Sequence, residues 1–205
     1  MATIVISGLP GSGSTTIAKL ISKKLNYSYF SAGQLWKDIA QGNLKNQTYF
    51  PLFMDLAEKH NLKLPNFSSV SKGTAAVKLW KTDLGKNPKF HEVIEELQQE
   101  LSRKGNIIID GKLSIHMIKE SDLKIWLSGS LNARSIRTSQ RDNISKDEAT
   151  TLLKEREELH RSEWLKIYGF DYLTQEKEAD LVIDSTEKSP ENISNLILMK
   201  LNNKL

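Results

Sequence analysis

Thr3-Ile4-Val5-Ile6-Ser7-Gly8-Leu9-Pro10-Gly11-Ser12-Gly13-Ser14-Thr15-Thr16 decides the fold. Its first half is apolar and β-branched without polar alternation, the mark of a strand covered on both faces. Its second half is a glycine-rich turn, followed by a helix running to about Lys24. A strand, a glycine loop and a helix N-terminus in succession make a phosphate cradle: glycines let backbone N–H groups turn inward, and the helix adds the positive end of its dipole. The spacing fits G-x-x-x-x-G-K-[ST] at every position but one, where Ser14 stands for the lysine. Gly8, Gly11, Ser12, Gly13, Ser14, Thr15 and the following Thr16 are therefore the expected nucleotide-binding loop, with the Thr15 hydroxyl placed to ligate Mg²⁺. The competing reading is a glycine-rich turn without a ligand.

Working outward, further short apolar runs occur at Tyr27 to Phe30, Asn106 to Asp110, Leu123 to Leu127 and Leu181 to Asp184, with helical stretches between. That alternation predicts an α/β fold, a five-stranded parallel sheet flanked by helices. Ser145-x-x-Glu148 is a capping box opening a long helix that reaches Tyr168, and Ser189-Pro190 opens a last one. From Ala32 through Gly105 run 74 residues between the second and third strands, far more than a crossover needs. Helices are expected there near Gly33 to Ala40, Pro51 to Lys59, Thr74 to Trp80 and Pro88 to Lys104, with a polar loop from Pro65 to Lys72. The expected division is one domain with its core in 1–31, 105–141 and 169–205, an insert in 32–104 and a helical segment in 142–168, which the family resemblance given below implies is a lid.

The chain has 205 residues, 39% hydrophobic and 26% charged, and its mean hydropathy is −0.42. A fully disordered chain is excluded, and one core suits this length better than two. No stretch approaches the roughly 18 apolar residues of a membrane span, and the start lacks a signal-peptide pattern, so a cytoplasmic placement is expected. The absence of cysteine removes disulfide frameworks, thiolate zinc sites and cysteine nucleophiles. Twenty-nine Lys and Arg against 25 Asp and Glu leave +4, which suits an anionic ligand. Seven lysines and a single acid, Asp83, fall between Lys59 and Lys89.

The third run ends Ile109-Asp110-Gly111-Lys112. A carboxylate at the carboxyl end of a strand beside a phosphate loop can orient Mg²⁺ or its water, and Lys112 projects toward the same crevice. Arg134, Arg137 and Arg141 share one helical face, and Arg156 and Arg161 follow on the capped helix. Such arginines supply charge to a phosphoryl group, or alternatively belong to a solvated helix face. The histidines at 60, 91, 116 and 160 have no metal-ligand spacing.

The loop, Ser31-Ala32-Gly33-Gln34-Leu35-Trp36-Lys37, Asp110-Gly111-Lys112-Leu113, Asp122 to Leu127, Arg156-Glu157-Glu158 and Tyr168-Gly169-Phe170-Asp171, in that order, resemble the archaeal-type cytidylate kinases. The resemblance covers most of the chain but not Gln41 to Lys86, and in that branch a hydroxyl residue commonly replaces the loop lysine. It implies a nucleoside monophosphate kinase fold that transfers the ATP γ-phosphate to CMP or dCMP. The loop and Thr15 would hold ATP and Mg²⁺, Arg141 and Arg156 match lid arginines, and Ser31 matches the start of the acceptor site. Lys37 and Lys112 stand where the family places arginines on the acceptor phosphate, and His91 falls among its acceptor contacts. His160 and Glu163 replace an acidic and a basic residue. Positive charge for the β,γ-phosphates is then expected from Arg156, Arg161, Lys112 and Mg²⁺. The expected partner is a nucleoside monophosphate, with no membrane, nucleic acid less favoured, and a monomer or small homo-oligomer. The alternatives are a related kinase with another acceptor, such as a nucleic-acid end or a phosphometabolite, or a non-catalytic nucleotide-binding protein.

Overall fold

The apolar runs pair side by side. In the computed structural model, which describes residues 2–64, 79 and 82–204, the strands are β1 (Thr3–Gly8), β2 (Ser28–Ser31), β3 (Ile107–Asp110), β4 (Leu123–Ser128) and β5 (Leu181–Asp184). All five are parallel in the order β2-β3-β1-β4-β5. Every residue of β1 and of β3 is buried, as their unbroken apolar character requires.

Successive side chains of a strand point to opposite faces, and two cores result. Val5, Ile107, Ile109, Phe30 and Trp126 pack on one face with α2 (Ala32–Gln41), α3 (Phe50–Lys59) and α4 (Pro88–Arg103). Ile4, Ile6, Ile108, Ile125 and Leu127 pack on the other with Ile17 and Ile21 of α1 (Ser14–Leu25) and Ile193, Ile197 and Leu201 of the final helix, Pro190–Asn202. The short α5 (Ser114–Met117) follows β3, and α6 (Leu131–Asp142) follows β4. The long α7 (Lys146–Tyr168) is opened by the capping box between Ser145 and Glu148 and closed by Gly169 in the left-handed region. The final helix is α8.

The long connection holds α2, α3 and α4. The helix expected over Thr74 to Trp80 lies outside the described residues except for Leu79, which is helical and buried. The loop expected over Pro65 to Lys72 and three of the seven lysines, Lys72, Lys78 and Lys81, also lie outside them. Among the described residues no helix is long and apolar enough to cross a membrane.

Candidate active site

In an open parallel sheet the chemistry gathers beyond the carboxyl ends of the strands. Here β1 runs into the glycine loop, beside the ends of β3 and β4. Gly8 must be glycine, because a Cβ there would meet the Leu127 carbonyl oxygen at 2.2 Å. Gly11 and Gly13 take φ of 78° and 96°, conformations that the turn imposes and glycine adopts without strain. The loop delivers the chain to α1 with no side-chain cap on the first-turn amides. By contrast, Ser31, Asn87, Ser130, Ser145 and Ser189 cap α2, α4, α6, α7 and α8. Uncapped amides at a helix start favour an anion. The Ser12 hydroxyl, buried in the same loop, has no hydrogen-bond partner among the described residues.

The Thr15 hydroxyl donates to Asp110 Oδ2 at 2.6 Å, bringing together the two residues expected around Mg²⁺. The same oxygen lies 3.4 Å from the hydroxyls of Tyr29 and of Ser31. Burial and the Asp110 charge push the Tyr29 phenol well above its ordinary range, so it stays a neutral donor. A hydroxyl and a carboxylate on adjacent segments fit Mg²⁺, which keeps few protein ligands and takes the rest from phosphate and water oxygens. No cluster of three or more His, Cys, Asp or Glu gathers among the described residues.

Lys112 donates through Nζ to the carbonyl of Gly8. Burial pushes its ammonium down to about 7; Asp110 opposes that shift, while Arg156 adds to it. Arg156 makes no hydrogen bond or ion pair among the described residues. Its guanidinium is pulled below its usual value by burial first and by Arg141 second. Asp142 is held below the usual carboxylate range, first by its hydrogen bonds from Arg141, with the charges of Arg156 and of Lys37 of α2 adding to it.

Other expected contacts are built differently. Arg161, exposed, is held by Asp171 at 2.7 Å, and Arg141 is bidentate on its neighbour Asp142. Arg161 is therefore not brought to the loop. Its partner lies in the turn that follows its own helix, so the local ion pair takes it. His91 is held in a different way. It is buried, with Nε2 on the Gly85 carbonyl at 2.9 Å and Nδ1 on the Tyr168 hydroxyl at 3.1 Å. Both nitrogens are engaged, so His91 ties the insert to the end of α7. Glu163 pairs with Lys166, and His160 stacks on Trp164 with centroids 4.4 Å apart. Of the described lysines in the basic insert, Lys59 pairs with Glu96, which also bonds His60 at 2.7 Å.

The structure also reveals supports that the sequence did not mark. Arg134, buried, donates to the carbonyls of Pro10 at 3.0 Å and Gly129 at 2.8 Å and pairs with Glu157. It braces the loop from behind instead of reaching a ligand. Arg137 does the same at the end of β5, through the carbonyls of Ser185 and Thr186. The Ser7 hydroxyl donates to the Gly111 carbonyl at 2.6 Å and the Thr3 hydroxyl to the Ser102 carbonyl at 2.8 Å; a hydroxyl in an otherwise apolar, wholly buried strand is the sequence signal that could have found such contacts.

Known proteins supply the comparison. Cytidylate kinase from Methanocaldococcus jannaschii is 30% identical over 204 residues, 98% of this chain and 97% of that protein. Cytidylate kinase from Sulfurisphaera tokodaii is 32% identical, covering 97% and 94%. Among solved structures, an uncharacterized protein from Eubacterium ventriosum matches with a TM-score of 0.60 at 12% identity, over 98% of this chain and 99% of that one. Shikimate kinase from Acinetobacter baumannii, solved in complex with shikimate, matches at 0.54 and 13% over 100% and 96%. These structural likenesses support the fold alone. The sequence profile of the cytidylate kinase-like family runs from residue 3 to residue 187, from the first residue of β1 to just past β5, and the chain belongs to that family.

Proposed function

We propose that this protein is a nucleoside monophosphate kinase that transfers the γ-phosphoryl group of ATP to CMP or dCMP, yielding ADP and CDP or dCDP. One observation carries the reading: Arg156, with Asp142 committed to Arg141, makes no ion pair of its own among the described residues and lies near Lys112, which reaches a glycine loop whose helix amides are uncapped. Leaving cations unneutralised and partly desolvated is costly, and a bound polyphosphate removes that cost.

Phosphoryl transfer asks for positioning and charge more than for covalent participation by the protein. An oxygen of the acceptor phosphate forms the new bond to the γ-phosphorus, the bond to the β,γ-bridging oxygen breaks, and its electron pair leaves with ADP. The acceptor phosphate is largely dianionic near neutrality, with its second pKa about 6, so no side chain must take a proton from it. The loop amides from Gly8 to Thr16 bind the donor phosphates. Thr15 and Asp110 would hold the metal, which when bound would neutralise charge on the phosphate oxygens. Ser31 and Lys37 belong to the acceptor side in the insert, and Arg141 and Arg156 to a lid over 142–168 that excludes water. A cytoplasmic placement goes with this reading, since the reaction draws on ATP and needs no disulfide.

The test is a panel of nucleoside monophosphates assayed for ADP release with MgATP. CMP or dCMP should give the highest kcat/KM. ADP release that no monophosphate stimulates would sink the proposal, and retained nucleotide binding in that case would leave a non-catalytic binding protein.

A further inference from the structure

The loop lacks its lysine, and another ammonium reaches it from outside. Lys112 extends from the end of β3 to the carbonyl of Gly8, the first glycine of the loop. Its backbone is fixed on three sides. The Gly111 N–H donates to the Ile6 carbonyl at 3.2 Å, the Ser7 hydroxyl donates to the Gly111 carbonyl, and Gln175 Nε2 donates to the Lys112 carbonyl at 2.8 Å. Gln175 is fully buried. Gly111 admits no Cβ, which would lie 2.2 Å from Ser114 Oγ. The side chain thus starts from a rigid platform and ends at the loop.

The charged groups around this ammonium are Asp110, Arg156, Glu157 and Arg134. Glu157 is committed to Arg134, and Asp110 to the Thr15 hydroxyl. Among the described residues no carboxylate pairs directly with Lys112, whose ammonium has three donors of which Gly8 takes one. The resemblance to the family assigns position 112 to the acceptor phosphate. The contact with Gly8 argues for the donor side instead, because Gly8 opens the loop that wraps the donor.

We infer that Lys112 stands in for the missing loop lysine, exchanging the Gly8 carbonyl for β,γ-phosphate oxygens of the donor when nucleotide binds. The inference rests on the phosphotransfer reading for its ligand. It makes the anchor of the donor phosphates a residue that follows a different strand.

The experiment is a charge transplant. Wild type, Lys112→Met, Ser14→Lys and the double variant are compared for MgATP affinity by calorimetry, for CMP affinity, and for kcat and KM. Lys112→Met should weaken MgATP binding by about tenfold and cut kcat by on the order of a hundredfold, with CMP affinity little changed. Ser14→Lys alone should give no gain, because it sets two ammoniums side by side. In the double variant, at least about tenfold of the loss should return, a coupling that independent positions would not show. A double variant no better than Lys112→Met, or a Lys112→Met protein with normal MgATP affinity and a raised KM for CMP, overturns the inference. Should Lys112→Met melt early, Lys112→Gln, which can still donate to Gly8, takes its place in the cycle. If wild type phosphorylates no acceptor, the MgATP affinities of the four proteins still decide the matter, so the two failures remain distinguishable.

Discussion

At the scale of single residues, Thr15 and Asp110 lie far apart in sequence and 2.6 Å apart in space. Thr15→Ala removes a hydroxyl that the carboxylate now binds and that the metal would share. We expect turnover to fall about ten- to a hundredfold, with more Mg²⁺ needed for half-maximal rate. A Mg²⁺ titration of wild type and variant checks this, and identical curves would remove Thr15 from the metal site. Gly8→Ala acts differently, because its Cβ would overlap a backbone oxygen that cannot rotate away. Overpacking of this kind costs about 1–3 kcal/mol, so the melting temperature should drop by several degrees and nucleotide affinity should fall with it. Thr15, Asp110 and the glycines were legible in the sequence because a loop motif and a strand end both have fixed places in such a sheet. The Lys112 contact with Gly8 was not, because a lysine reaches several ångströms in any direction and only the packing of Gly111 and Gln175 sets its course.

At the scale of elements, α6 and α7 are joined where Arg134 meets Glu157, and the same arginine holds the Pro10 carbonyl. Glu157→Ala would leave a buried guanidinium without its anion. Glu157 keeps 30% of its side chain exposed, so water offsets part of the penalty, and we expect a loss of about 1–3 kcal/mol together with weaker MgATP binding. Ser145→Ala is the contrast: it removes the cap of α7 at a cost of about 1 kcal/mol, three turns from Arg156, and should leave affinity unchanged. Denaturant melts paired with nucleotide titrations separate the two. Element boundaries were readable where chemistry marks them, as at the Ser145 capping box. The partner of each arginine was not. One helical face carries Arg134, Arg137 and Arg141, yet the first two are spent on the loop and on β5 and the third on its own neighbour. Periodicity locates a face, but what lies across from it depends on the tertiary fold.

At the scale of the molecule, buried His91 and half-buried His160 make stability depend on pH. Burial holds His91 below its ordinary value and, with Lys112 and Arg156 adding to it, pushes His160 down to about 3. The unfolded chain binds protons at both near pH 6.5 while the folded protein does not. Stability is therefore fully present above that value and falls as pH drops through it, by up to about 1.4 kcal/mol per pH unit per histidine. Denaturant unfolding at pH 7.5 and 5.5 should show wild type losing about 1–3 kcal/mol and His160→Gln clearly less. Equal losses would mean that His160 is not held neutral inside the fold.

The strand order has a consequence for how the molecule is made. β1, buried on both faces, lies between β3 and β4, so Thr3 must wait for Ile107 and Ile4 for Leu123 before either edge of the strand is satisfied. At about 5–20 residues per second on the ribosome, Ile4, Val5 and Ile6 stay without partners for on the order of five to twenty seconds. The segment that ends as the most protected part of the sheet is thus the one most exposed to wrong pairing during synthesis, and the glycine loop that follows it cannot take shape until the sheet has closed around its stem.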